Sequence, residues 1–188
     1  GRTAMASGES QWSTGQEARA VVQASRACSD VIVTGSGTVS ADDCSLTLRP
    51  CDNRLDSADW ERAMVAPTPR AVIDTNASTP ASAHVVAGVT PTTLFTREGA
   101  SLDASMSDNV CQVQIASSAA GLDLRKALLK LGEQGANEIL VEAGPTLVGA
   151  LEQENLIDQW LIYMAPVMLG SVARPTHHAV FNSLGQAN

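Results

Sequence analysis

Asn137-Glu-Ile-Leu-Val-Glu142-Ala-Gly144-Pro145-Thr146-Leu147-Val148-Gly149-Ala150-Leu151 is the stretch on which the reading of this chain turns. Ile139, Leu140 and Val141 form a short continuous apolar run, as a central parallel strand presents. Gly144 permits an unusual backbone angle, and Pro145 suits a first helical turn. The pattern predicts a strand, a tight turn and a helix whose first N–H groups face, unpaired, the carboxyl end of a sheet. That geometry binds phosphate. Glu142 stands at the end of the strand, where an open α/β sheet places its chemistry. On these residues alone, an ordinary strand-to-helix connection with a Gly stop remains an equal reading.

A second stretch repeats the pattern. Asp30-Val-Ile-Val-Thr34-Gly35-Ser36-Gly37-Thr38-Val-Ser-Ala-Asp42-Asp43 also runs from an apolar strand into a Gly-rich turn. It lacks the third Gly of a G-x-G-x-x-G fingerprint and the Gly-Lys-Ser/Thr of a P-loop. Two glycine turns, each closing an apolar strand, predict a cleft able to cradle a dinucleotide.

The 188 residues suffice for one domain with a real core, and 44% apolar with 17% charged residues is the balance of a globular protein. A net charge of −8 argues against a nucleic-acid partner, which requires a basic face. An anionic small ligand needs only a few local cations, and Arg26 and Arg49 supply them. Cys28, Cys44, Cys51 and Cys111 form no C-x-x-C pair, and His84, His177 and His178 are not spaced as zinc partners, so no metal site is expected. No apolar run approaches ~18 residues, so no membrane span is expected, and the thiols read as reduced cysteines of a cytoplasmic protein.

The expected organisation is a single α/β unit. Thr14 and Glu17 fit a capping box opening a helix that runs to about Ala27. Strands follow at 31–34, at Ala71-Val-Ile-Asp74-Thr75, at 93–96 and at 111–116. A polar insertion spans roughly 50–68. Leu124, Ala127, Leu128 and Leu131 give a helical period over 122–134, stopping at Gly135. A last strand is expected at Trp160-Leu-Ile-Tyr-Met164. Alternating strands and helices predict a mainly parallel sheet.

Five blocks, in order, carry a family resemblance: Gly1-Arg-Thr-Ala-Met-Ala-Ser-Gly-Glu-Ser10-Gln-Trp12; Val33-Thr-Gly-Ser-Gly-Thr38 with Ala41-Asp42-Asp43, Leu46 and Arg49; Val72-Ile-Asp74-Thr75; Val141-Glu142-Ala-Gly144-Pro-Thr146-Leu; and Ala165-Pro-x-x-Leu-Gly170. Together they resemble the reductase domain of the bacterial bifunctional riboflavin-biosynthesis deaminase/reductases. The resemblance covers nearly the whole chain and is thinnest between about 76 and 120. It implies a dihydrofolate-reductase-like fold and NADPH-dependent reduction of 5-amino-6-(5-phospho-D-ribosylamino)uracil to its ribitylamino product.

The resemblance also assigns residues. Ser10, Arg26, Leu46, Arg49 and Glu142 match substrate-contacting positions, with the two Arg on the phosphate. Trp12, Thr38, Asp42 and Thr75 match positions on NADPH, with Thr75 near its 2′-phosphate. Gly144, Pro145, Thr146, Leu147, Val148, Gly149 and Ala150 match the pyrophosphate turn. Asp42 and Glu142 are the catalytic candidates. Asp42 would handle the proton if burial raised its pKa. A homodimer is implied.

Cys44 stands where the pattern usually has Pro, which predicts a less rigid loop around Leu46 and Arg49. Val172 replaces a frequent Asp. The family's first strand and last strands lie outside residues 1–188, as does the deaminase half with its zinc signature, so the chain is expected to be the incomplete reductase part of a longer two-domain protein. Alternatives left open are a reductase acting on the diaminopyrimidinone before deamination, a dihydrofolate-type reductase sharing only the fold, and an inactive nucleotide-binding fragment.

Overall fold

The computed structural model describes residues 2–7, 15–49, 56–118 and 121–178. Its elements in chain order are β1 (Arg2–Ala4), α1 (Gln16–Cys28), β2 (Val31–Gly35), α2 (Ser36–Asp42), α3 (Ser57–Val65), β3 (Arg70–Ile73), β4 (Thr92–Arg97) and β5 (Val110–Ile115). They continue with β6 (Ser117–Ser118), β7 (Gly121–Leu122), α4 (Leu124–Glu133), β8 (Ile139–Val141), α5 (Pro145–Gln153) and β9 (Arg174–Pro175).

Five strands form one parallel sheet in the order β5-β4-β3-β2-β8. β2 lies inside the sheet, between β3 and β8, and is apolar on both faces. Val31 and Val33 join Ala71, Phe95, Ile115, Ala127 and Leu131 on one side, under α4. Ile32 joins Val72, Leu94, Val39, Leu46, Val85 and Val86 on the other. The period of two along a strand divides the residues in this way. Parallel neighbours need long crossovers, yet residues 74–91 and 98–109, which join β3 to β4 and β4 to β5, contain no helix. Ala83, Val85 and Val86, at most 4% exposed, pack the face that a helix would otherwise cover.

The sequence places β2, β3, β4, β5, β8, α1, α4 and α5 within one or two residues of where they lie. Three expectations change. The polar insertion contains a helix, α3, whose N-cap Asp56 accepts a hydrogen bond from the Asp59 N–H at 2.8 Å. Trp160–Met164 is not a strand. These residues have no regular structure and are exposed, Ile162 by 69% and Met164 by 88%. An apolar run becomes a strand only where a neighbouring edge takes its N–H and C=O groups, and no such edge reaches this run among the described residues. Finally, α1 begins after Gly15 as N-cap. The proposed capping residue Thr14, with Ser10 and Trp12, lies outside the described residues.

Candidate active site

β2 and β8 are adjacent and parallel, so the turns that follow them emerge side by side at the carboxyl end of the sheet. Each opens directly into a helix with glycine at the N-cap and no side-chain cap, Gly35 for α2 and Gly144 for α5. The two turns pack into one another. The Gly144 N–H donates to Thr38 Oγ1 at 3.0 Å. A Cβ on Gly144 would lie 3.5 Å from that oxygen, and one on Gly35 would lie 3.5 Å from Leu147 of α5. Gly144 itself has φ −76° and ψ 172°, an extended conformation open to any residue, so the unusual backbone angle expected there is absent. What the glycine provides is a bare backbone facing the cleft beside Thr38.

That cleft has a volume of about 960 Å³. Its walls include Thr38 and Asp42 of α2, Thr75 just past β3, and Gly144, Pro145, Thr146, Leu147 and Ala150 at the start of α5. Thr38, Asp42, Thr75 and most of the glycine turn are thus brought together as expected. Val148 and Gly149 are not in the cleft wall; Gly149 is buried behind it. Asp42 is exposed at the end of α2, so the burial that its proton role called for is not found.

Thr75 is held by its neighbour. Asp74, fully buried, accepts hydrogen bonds from Ser78 N–H at 2.9 Å, Ser78 Oγ at 2.7 Å and Thr79 N–H at 2.7 Å. Burial disfavours its charged form, but these hydrogen bonds outweigh burial and hold the carboxyl below its ordinary range.

Arg26, Leu46, Arg49 and Glu142, expected on the substrate, lie at a separate corner. Glu142, one residue beyond β8, donates its backbone N–H to Val33 O at 2.9 Å. Its two carboxylate oxygens accept from Arg26 Nε and Nη2, both at 2.7 Å, in a fork. Arg26 Nη1 donates to Thr47 O at 2.8 Å. The pair is partly shielded, with side-chain exposures of 12% for Arg26 and 26% for Glu142. Arg49 differs: its backbone N–H donates to Gln23 Oε1 at 2.8 Å, while its exposed guanidinium has no partner among the described residues.

The loop between Arg26 and Arg49 is pinned despite Cys44 at the usual Pro position. Leu46 has φ 53°, a left-handed angle that costs a non-glycine residue about 1–3 kcal/mol, and is only 5% exposed in the core. Beneath it, Arg70 is 2% exposed and donates to Ser45 O at 3.0 Å and Ala87 O at 3.1 Å. Asp43 accepts from the His84 N–H at 2.9 Å. Burial pushes the Cys44 thiol up, and the nearby carboxylates of Asp42 and Glu142 add to the effect. The same proximity places Asp42, at the cleft, close to the Arg26–Glu142 corner.

Sequence reasoning missed Arg174 and His178. Arg174 reaches the cleft wall because β9 pairs with β1, setting Ala4 opposite Arg174. His178 donates its N–H to Pro145 O at 3.0 Å. A lone Arg and a His in an irregular segment carry no periodicity that announces such positions.

A parallel α/β sheet with a cleft across its carboxyl end and two glycine-started helices beside it is the dihydrofolate-reductase-like class of fold. The model of the RibD C-terminal domain matches residues 1–183, and the chain belongs to that family. The riboflavin biosynthesis protein RibD of Escherichia coli is 42% identical over 177 residues, covering 93% of this chain and 47% of that protein. The solved Acinetobacter baumannii RibD superposes with a TM-score of 0.80 at 36% identity, covering 99% of this chain and 48% of that one. The Saccharomyces riboflavin biosynthesis reductase Rib7 shares the fold, with a TM-score of 0.64 at 15% identity over 93% of this chain and 72% of its own. The chain thus spans about half the length of the RibD proteins it matches.

Proposed function

We propose that the chain is the NADPH-dependent reductase part of a riboflavin-biosynthesis protein, reducing 5-amino-6-(5-phospho-D-ribosylamino)uracil to the ribitylamino compound. The observation that carries the reading is the pair of uncapped glycine-started helices meeting at one cleft, in a chain of the RibD C-terminal domain family. The residues fit the cofactor. The bare turn at Gly144–Ala150 suits a pyrophosphate, Thr75 suits the 2′-phosphate end, and Thr38 and Asp42 line the same wall; the family resemblance adds Trp12 to the cofactor contacts. When bound, NADPH supplies the hydride for C1′ of the opened ribose.

The protein's part is to hold that carbon against the donor, exclude water and place a proton. Arg49, whose guanidinium has no partner among the described residues, takes the substrate phosphate together with the N–H groups of Arg26 that Glu142 and Thr47 do not use. The family resemblance adds Ser10 and Leu46 to the substrate contacts. Glu142, only half used by Arg26, accepts from sugar hydroxyls or pyrimidine N–H groups. Asp42 delivers the proton to the sugar oxygen once both ligands cover it. The working protein is a cytoplasmic homodimer with a deaminase domain upstream.

Among the described residues β8 pairs only with β2, which leaves room for a further strand beside it. NADPH oxidation measured with the uracil and with the diaminopyrimidinone tests this reading, on residues 1–188 and on a chain extended at both ends. Turnover of the uracil alone, stronger in the extended chain, is expected. Preference for the diaminopyrimidinone would move the step before deamination, and turnover of a dihydropterin alone would leave only the fold in common.

A further inference from the structure

The Arg26–Glu142 fork joins three elements. Arg26 sits in the last turn of α1, where its carbonyl accepts from Thr68 Oγ1 at 2.8 Å. Its Nη1 is fixed on Thr47 O, in the loop that Leu46 plugs into the core. Its other edge holds both oxygens of Glu142, which is itself tied to β2 through Val33. Three of the five guanidinium N–H groups are therefore committed, and two remain for an anion. Each oxygen of Glu142 keeps lone pairs as well. Both partners can bind substrate without parting.

Resting on the substrate reading above, we propose that Arg26 is a positioning residue for Glu142, so that one guanidinium links the substrate's phosphate to the carboxylate at the reacting end. Arg26 fixes the plane and rotamer of Glu142, and its remaining N–H groups meet the phosphate. Arg49 has no such link and acts on the phosphate alone. The two arginines then differ in kind. Losing Arg49 removes a handle. Losing Arg26 removes a handle and also frees Glu142 to turn away, which matters even for a substrate that has no phosphate.

The test compares kcat and KM for the phosphorylated riboside and its dephosphorylated analogue in wild type, Arg26→Met, Arg26→Lys, Arg49→Ala, Glu142→Gln and the Arg26→Met/Glu142→Gln double variant. Arg26→Met is expected to lower kcat about tenfold or more on both compounds. Arg49→Ala should act mainly on KM for the phosphorylated one. Arg26→Lys keeps the charge and the fold but offers no parallel pair of N–H groups, so it should not restore kcat. On the dephosphorylated compound the double variant should be no slower than Glu142→Gln alone, because both changes break one unit. Wild-type kcat on the dephosphorylated compound in Arg26→Met or Arg26→Lys would overturn the proposal, as would losses that multiply in the double variant. A wild-type protein that turns over neither compound would overturn the substrate reading and this inference together.

Discussion

The cleft and the corner beside it, both proposed to bind negative charge, are built in opposite ways. At the cleft, backbone does the work. Two helix starts are left uncapped, their glycines abut each other's helices, and the one side-chain bond between them, Gly144 to Thr38, joins turn to turn. At the corner, charged side chains hold one another: Arg26 forks onto Glu142 and donates a further N–H to the Thr47 carbonyl. The first arrangement waits in its final form for any ligand with a phosphate and enough length. The second is set by an internal ion pair, so its selectivity depends on side-chain identity. Breaking the cleft should therefore reduce binding with little change in chemistry, and breaking the Arg26–Glu142 pair should do the reverse.

The largest effect is expected at the corner. Glu142→Gln should preserve a cooperative melt, since the amide still accepts from Arg26, yet nearly abolish turnover; steady-state assays on a folded variant with unchanged kcat/KM would remove Glu142 from the site. Next comes the cleft. In Gly144→Val the first added carbon meets Thr38 Oγ1 at ordinary contact distance, so the fold should stand, while the branched side chain fills the approach of the pyrophosphate. NADPH affinity, read by titration, should fall about tenfold or more.

Arg49→Ala should weaken binding of the phosphorylated substrate by about 1.5–3 kcal/mol, roughly tenfold or more, and affect the dephosphorylated analogue far less. Equal losses on both would make Arg49 structural. The smallest effect concerns Asp74, which supports the cleft from beneath. Its carboxyl is held below its ordinary range in the folded chain, so the stability it contributes is present above about pH 4 and is lost as pH falls through the folded value. Asp74→Asn should cost about 1–3 kcal/mol at pH 7. In denaturant titrations the gap to wild type should close progressively below about pH 4. A gap that persists unchanged at pH 2 would mean that the turn 74–79 does not depend on the charge.

The strands were legible because Val31–Thr34, Ala71–Ile73, Thr93–Thr96 and Ile139–Val141 are short apolar runs bounded by turn residues, and a parallel sheet buries both faces of such runs. The run at 160–164 has the same composition and no strand. What separates it from the others is a pairing edge, which belongs to the tertiary arrangement and leaves no local mark. The glycine at 144 was legible as a residue but its reason was not: the requirement is proximity to Thr38 and to a ligand, not a left-handed angle. Arg26 and Glu142 are 116 residues apart, so only the family pattern set them in one site, and nothing in the sequence showed that they hold each other. Leu46, at a left-handed angle inside the core, reads in sequence as an ordinary loop leucine.

One feature of the sheet bears on how the two halves communicate. β8 is the outermost of the five parallel strands, and within three residues of its end it carries Glu142 and then Gly144. Among the described residues the strand is fastened along one side, to β2. Carboxylate and glycine turn therefore share one short run of backbone, and a substitution that shifts β8 against β2 is expected to move both.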